Sequence, residues 1–139
     1  MSITSNCVNL KYLTLQECSN LTPEGIGDAL FYSTNLRHIN LNDTATNNET
    51  LGKLATLPSL LGIEAKATNI DDSGLKGFLD GIQCSELVSK TRPLHLMNLD
   101  LCTKLTSVSL SKLATQQGWS LYTLNLSSVQ QTKYAISTI

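Results

Sequence analysis

The chain has 139 residues, of which 41% are hydrophobic, 15% charged and 5% aromatic, and its formal net charge is -1. This length predicts a single domain over residues 1–139. The balanced charge excludes a nucleic-acid module driven by basic charge, and no stretch approaches the roughly 20 apolar residues that membrane insertion requires. The start of the chain, Met1 to Asn6, has neither the basic nor the apolar region of a secretory signal. We therefore expect an intracellular protein, either cytoplasmic or nuclear.

A short pattern of hydrophobic residues recurs five times along the chain. It reads Leu-x-x-Leu-x-Leu, with Ile or Ala allowed at some positions, and its copies occupy residues 10–15, 36–41, 60–65, 96–101 and 121–126. The starting positions are separated by 26, 24, 36 and 25 residues. Because side chains alternate along a strand, each copy predicts one short strand whose last two Leu positions face inward.

Between the copies, apolar residues follow a helical spacing. Thr22 and Pro23 mark the start of the first helical segment, and Asp71 and Asp72 supply capping and acidic residues before the third. The pattern predicts one helix after each of the first four strands. The apolar stripes of these helices comprise Leu21, Ile26, Ala29 and Leu30; Leu51, Leu54 and Leu57; Ile70, Leu75, Phe78, Leu79 and Ile82; and Leu105, Val108, Leu110, Leu113 and Ala114.

Each unit is thus predicted to be a strand followed by a turn, a helix and a return. One unit cannot bury its own apolar face, whereas stacked units form a parallel sheet with helices behind it. A doubly wound sheet is the alternative, but the Gly-rich strand-to-helix turns and longer apolar strands that it needs are not visible. The longer third interval predicts an insertion loop at about residues 83–93.

The first unit carries a family resemblance. Leu10, Leu13, Leu15 and Cys18, followed by Thr22-Pro23-Glu24-Gly25-Ile26, resemble the cysteine-containing, F-box-type subtype of the leucine-rich repeat family. The third unit has Thr68 in place of Cys and is closer to the ribonuclease-inhibitor subtype. In the fourth unit, Cys102 lies at a different offset from its strand than Cys18 does, so we do not assign it to the subtype's Cys position.

The resemblance implies an α/β leucine-rich-repeat solenoid of about five repeats. The parallel sheet would be curved, with the strands on the concave face and the helices on the convex face. Solenoids normally carry polar caps. We see no convincing cap at either end, so we expect either part of a longer solenoid or a short solenoid that is capped by a partner. Cys18 is expected to be buried in its turn as a small apolar group rather than to act as a reactive thiol.

The sequence offers little for catalysis. His38 and His95 are the only histidines; we place His38 on the exposed strand face and interpret His95 as structural. No nucleophile elbow, phosphate-binding loop or dinucleotide fingerprint occurs, and the four cysteines lack a zinc-ligand spacing. Helix capping explains Asp71 and Asp72 better than metal binding does. We predict that the protein is not an enzyme and has no cofactor and no metal site.

Sheet alternation makes the concave face the candidate functional surface. It combines aromatic, basic, amide and acidic groups, and Tyr and Arg are common anchors of protein interfaces. A merely solvated sheet face is the alternative. Glu64 and Asp100 are expected on adjacent strands, where like charges destabilise; replacing both should then weaken binding and raise stability. The predicted partner-binding residues are Lys11, Tyr12, Thr14, Arg37, His38, Asn40, Glu64, Met97, Asn98, Asp100, Tyr122 and Asn125.

These observations predict a protein–protein interaction module. The family resemblance implies substrate recognition for a Skp1–cullin–F-box-type ubiquitin ligase, although the chain itself has no F-box. One alternative is a structural or scaffold subunit of a larger assembly. Another is an enzyme regulator resembling ribonuclease inhibitor or the Ran GTPase-activating protein; a GTPase activator needs a well-placed Arg, and the chain has only Arg37 and Arg92.

Overall fold

In the computed structural model, residues 7–84, 93–127 and 129 are described. Within these ranges, short strands alternate with helices, and every strand contains three residues. The order along the chain is β1 (Tyr12–Thr14), α1 (Pro23–Leu30), β2 (His38–Asn40), α2 (Asn48–Leu54), β3 (Gly62–Glu64), α3 (Asp72–Cys84), β4 (Leu96–Asn98), α4 (Ser107–Gln117) and β5 (Thr123–Asn125).

The strands form one parallel sheet in which each strand lies beside its neighbours in sequence, in the order β1-β2-β3-β4-β5. The first residues of the strands are aligned across the sheet: Tyr12, His38, Gly62, Leu96 and Thr123. This sequential order confirms the predicted stack of strand–helix units, because in a doubly wound sheet the order of the strands would reverse at one point in the sheet. None of the helices in the described parts of the chain is long and apolar enough to cross a membrane.

The hydrophobic core lies between the sheet and the helices. The middle residues of the central strands, Ile39, Ile63 and Met97, are fully buried, and so are Ile26 and Leu51 from the first two helices. The predicted helical stripes supply most of the core. Leu21 and Val108 are exceptions, with 36% and 74% of their surfaces exposed. Leu21 lies before the start of α1. Since Leu110 and Leu113 define the inward face of α4, Val108 points to the other side of that helix.

Polar side chains cap the N-termini of the helices, as their positions in the sequence predict. The Thr22 hydroxyl accepts a hydrogen bond from the Gly25 N–H at 3.0 Å, and the Asp71 carboxylate accepts one from the Gly74 N–H at 3.1 Å. Each bond satisfies a helix N-terminal donor that has no partner within the helix. The capping role inferred for Asp71 is therefore confirmed, and it fixes where α3 begins.

Each of the first four strands is followed by a turn with one residue in the left-handed region. These residues are Glu17, Asp43, Ala67 and Leu101, with φ between 57° and 62°. All four lie two positions after the last inward residue of their strand, so the turn is a repeated feature of the solenoid. A side chain with a Cβ is strained there by about 1–2 kcal/mol, and Ala67 and Leu101 lack the short polar side chain that eases this conformation in Asn and Asp.

The position of the fourth repeat differs from the prediction. β4 pairs with β3 so that Met97 lies opposite Ile63, and Leu94, Met97 and Leu99 are completely buried. Leu101, which the prediction turned inward, is 43% exposed. The fourth copy therefore occupies residues 94–99 rather than 96–101, and the intervals between copies become 26, 24, 34 and 27 residues. The prediction that Met97 faces a partner is wrong, because its side chain belongs to the core.

The corrected position changes the assignment of Cys102. Cys102 follows Leu99 by three residues, as Cys18 follows Leu15, and both N–H groups donate to the carbonyl of that Leu. Cys102 is therefore the equivalent of Cys18, contrary to our expectation, and it is fully buried. Cys18 itself is exposed rather than buried, because it lies in the first repeat, where no described residue covers its outer side.

The predicted insertion at 83–93 lies mostly outside the described residues. Helix α3 extends through Cys84, so the first two residues of the predicted insertion, 83 and 84, belong to a helix and not to a loop. Leu94, which directly follows the predicted insertion, is fully buried.

Candidate interaction surface on the concave sheet face

We define the concave face as the side of the sheet that points away from the helices. Three rows of side chains cross it from β1 to β5, at one, two and four positions after the first Leu of each repeat. The first row contains Lys11, Arg37, Leu61, His95 and Tyr122; the second contains Tyr12, His38, Gly62, Leu96 and Thr123; and the third contains Thr14, Asn40, Glu64, Asn98 and Asn125. These rows hold ten of the twelve predicted partner-binding residues.

The remaining two residues lie elsewhere. Met97 is buried, and Asp100 lies one position after the last inward Leu of its repeat, in the turn that follows β4. The Asp100 carboxylate accepts a hydrogen bond from the Leu101 N–H at 3.0 Å. The residue that lies opposite Glu64 is Asn98. The predicted acidic pair of Glu64 and Asp100 is therefore wrong, as is the strain that it implied.

The amides of the third row close the turns that follow their strands. The side-chain oxygens of Asn40, Asn98 and Asn125 each accept a hydrogen bond from the N–H two residues later, at 2.9, 3.0 and 3.1 Å. Such a side chain satisfies a backbone donor that the sheet leaves unpaired. These three residues thus have a structural task in addition to any contact that they make with a partner.

Glu64 departs from this row. The equivalent N–H, that of Lys66, is bonded instead by the side-chain oxygen of Asn42 from the preceding repeat, at 2.8 Å. Because Asn42 accepts this hydrogen bond, the Glu64 side chain does not close the turn. Its Oε2 lies instead 2.9 Å from Nε2 of His38 on the neighbouring strand. Both side chains are 27% exposed. The third repeat therefore carries a polar pair where the other repeats carry a turn-closing side chain.

Gly62 provides the space for this pair. A Cβ added at Gly62 would lie 2.6 Å from Nδ1 of His38, closer than any real contact allows. The imidazole of His38 lies over β3 only because position 62 has no side chain, and this brings its far nitrogen to Glu64. The ring of Tyr12 lies next to His38, with 6.3 Å between the ring centroids.

The opposite end of the face carries a second aromatic contact. The rings of His95 and Tyr122 have centroids 5.1 Å apart, and Tyr122 is 85% exposed. The sequence prediction omits His95 and Leu96 from the concave face because it places the fourth repeat two positions too late. The signal was present in the sequence, since Leu94, Met97 and Leu99 also satisfy the spacing of the repeat.

The basic and acidic side chains of the face are separated along the strand direction. Lys11 and Arg37 are exposed where the first two strands begin, and Glu64 lies where β3 ends. Among the described residues, no group of three or more His, Cys, Asp or Glu side chains could hold a metal ion. The arrangement offers hydrogen bonding, charge and aromatic contact area for recognition.

Comparison with known proteins identifies the fold. No protein-family pattern matches the chain, and no curated protein matches it in sequence. The chain is similar to the solved tropomodulin C-terminal domain of Caenorhabditis elegans, with a TM-score of 0.68 and 15% identity over 98% of this chain and 90% of that one. It is similar to the structure of the Rad7 and Elc1 complex in yeast, with a TM-score of 0.70 and 24% identity, covering 87% of this chain and 29% of that one.

A third similar structure is the actin-binding site 2 of leiomodin-1, with a TM-score of 0.64 and 12% identity over 99% of this chain and 87% of that one. Together with the repeat geometry, these likenesses define the fold as a leucine-rich-repeat solenoid. The expectation of an α/β solenoid with the sheet on one face and the helices on the other is confirmed.

Proposed function

We propose that the chain is a non-catalytic protein-interaction module that binds a protein partner on its concave face. The observation that carries this proposal is the placement of two exposed tyrosines, Tyr12 and Tyr122, on either side of the preformed pair of His38 and Glu64. Tyr12 is 69% exposed and Tyr122 is 85% exposed. Tyrosines combine a large apolar area with a polar tip and are frequent energetic hot spots of interfaces.

The dimensions of the face define the kind of contact. Four spacings of about 4.8 Å separate β1 from β5, so the two tyrosines lie roughly 20 Å apart. A partner that reaches both must cross all five strands and pass over His38 and Glu64. Since these two side chains are held in place by the sheet and by each other, little conformational entropy is lost when they are covered.

Two of the similar structures support a protein-binding role. One is a complex of Rad7 with Elc1, and another is described as an actin-binding site. We further propose that the partner is a substrate presented to a Skp1–cullin–F-box-type ubiquitin ligase, with the F-box supplied by another protein. A structural role in a larger assembly and regulation of an enzyme are the competing functions.

Site-specific photo-crosslinking tests whether the concave face is used. A photoreactive amino acid at Tyr122 should capture a partner from cells, whereas the same group at Trp119, which is 70% exposed in the turn after α4, should not. The captured partner is then purified and its affinity measured. Tyr12→Ala and Tyr122→Ala should each weaken binding by tenfold or more, since hot-spot residues contribute about 2 kcal/mol or above. Trp119→Ala serves as the matched control and should bind as the wild type does.

Equal capture at both positions, or wild-type affinity of both tyrosine variants, would refute a concave binding site. The composition of the purified complex separates the finer alternatives. Skp1 and a cullin support the ligase proposal, and a complex of fixed stoichiometry supports a structural subunit. Capture of a small GTPase supports the regulator if the wild type accelerates its GTP hydrolysis and the Arg37→Ala variant does not.

A further inference from the structure

A groove of about 860 Å³ lies on a different part of the molecule, where α1 and α2 end and the chain returns towards β2 and β3. Leu30 and Leu57 are its buried apolar residues, and Phe31, Tyr32 and Pro58 also line it. Phe31 is 74% exposed and Tyr32 is 53% exposed, and their rings meet edge to face with centroids 4.9 Å apart.

The difference between two consecutive repeats explains the groove. Phe31 and Tyr32 lie five and four positions before the first Leu of the second repeat. The equivalent positions before the third repeat hold Ala55 and Thr56. Two large rings therefore project beside two small side chains. Exposure of such rings gains nothing for folding, because burying an aromatic side chain is worth about 1.5–3 kcal/mol. A contiguous exposed apolar patch of this kind is typical of a binding site.

The charges around the groove favour a basic occupant. Asp28 and Lys53 are the charged side chains among its described lining residues. Lys53 lies 3.9 Å from Asp28 and 3.8 Å from Glu49, so a single cation is shared by two carboxylates. The Asp28 carboxylate is 83% exposed and open to another cation.

Two further features strengthen the negative potential. The last turn of α1 contains no basic residue, so its terminal carbonyls add a partial negative charge beside Asp28. The alkyl chain of Lys53 lies across Gly27, where an added Cβ would come within 2.6 Å of it. Lys53 is thus held against α1, and its ammonium stays near the two carboxylates.

We infer that this groove binds a partner segment in which a Lys or Arg lies close to an aliphatic or aromatic side chain. The apolar side chain packs against Leu30, Leu57 and Pro58. The cation lies over Asp28 and the aromatic rings, where ion pairing and cation–π attraction act together. This surface is separate from the concave face, so the protein has two recognition surfaces with different chemistry.

Selection from a random peptide phage library tests the inference without knowledge of the natural partner. Peptides enriched on the wild type and counter-selected on Phe31→Ala should carry Lys or Arg within two residues of an apolar side chain. The best peptide is synthesised and titrated into isotope-labelled protein. Amide shifts should map to residues 27–34 and 53–58 rather than to the concave face.

Variants separate the two components of binding. Phe31→Ala should weaken peptide binding by about tenfold or more, and Asp28→Asn should weaken it by about threefold to tenfold. High salt should weaken peptide binding further, because it screens the attraction between the charges. Trp119→Ala and Asp80→Asn are the matched controls, one an exposed aromatic and the other an exposed carboxylate on α3, and both should leave the affinity unchanged. The inference would be overturned if no peptide is enriched, if acidic peptides are enriched, or if Phe31→Ala binds the peptide as tightly as the wild type does.

Discussion

Asp72 joins two neighbouring repeats, and its removal should destabilise the solenoid between them. One carboxylate oxygen accepts a hydrogen bond from the Thr106 N–H at 2.8 Å, and the carboxylate also accepts the hydroxyls of Thr106 and Ser109. Asp72 is the first residue of α3, and Thr106 is the N-cap of α4. The carboxylate therefore connects the beginnings of two adjacent helices.

The size of the effect follows from these bonds. Asp72→Ala removes three hydrogen bonds to a charged acceptor, each of which contributes about 1.5–3 kcal/mol when fully effective. The site is half-buried and the two hydroxyls can turn to water, so we expect a total loss of about 3 kcal/mol in the free energy of unfolding. Asp72→Asn keeps an acceptor but removes the charge, and should cost about half as much.

The effect of Asp72→Ala should depend on pH. Partial burial alone would raise the pKa of Asp72, but the hydrogen bonds from Ser109 and Thr106 outweigh it and hold the pKa below its ordinary value of 3.8. The stabilisation is complete above this ordinary pKa and is lost as the pH falls through the lower pKa of the folded protein. The stability gap between wild type and Asp72→Ala should therefore narrow below about pH 4.

Urea unfolding followed by circular dichroism at pH 7 and at low pH measures this gap. Asp28→Asn is the control, since its exposed carboxylate should change stability by no more than about 0.5 kcal/mol. A loss below about 1 kcal/mol for Asp72→Ala at pH 7, or a gap that stays constant on acidification, would refute the reasoning.

Three further predictions concern strain, thiol exposure and the concave face. Ala67→Gly should raise the free energy of unfolding by about 0.5–1 kcal/mol, because glycine adopts the left-handed conformation of position 67 without strain. Ala55 has a right-handed conformation, so Ala55→Gly should lower the free energy of unfolding. Melting temperatures that shift in the same direction for both variants would contradict this reasoning. Alkylation read by mass spectrometry should label Cys18 in the native protein and Cys102 only after unfolding, and early labelling of Cys102 would be inconsistent with its burial. Glu64→Gln should lower the free energy of unfolding by up to about 1 kcal/mol because the amide oxygen is a weaker hydrogen-bond partner for His38 than the carboxylate is. A higher melting temperature would argue against that contact.

Much of the concave face was predictable from residue spacing. Lys11, Tyr12 and Arg37 lie on the concave face, as their offsets from the repeated Leu positions indicated. Their role in binding remains a prediction. The pair of His38 and Glu64 was not predictable, because it depends on the absence of a side chain at Gly62 and on Asn42 taking over the turn. Such a contact joins residues from different repeats and has no signature in a single one.

The sequence by itself determined the number of repeats and the alternation of strand and helix. These follow from local spacing, since a strand buries every second residue and a helix buries residues three and four apart. Only the tertiary structure decided the position of the fourth repeat. Residues 96–101 fit the pattern with Leu at all three positions, and residues 94–99 fit the same spacing with Met97 at the middle position. A change of two residues keeps the strand alternation intact. Pairing with β3 and burial of Leu94 select the first option, and that selection places Met97 in the core and His95 on the concave face.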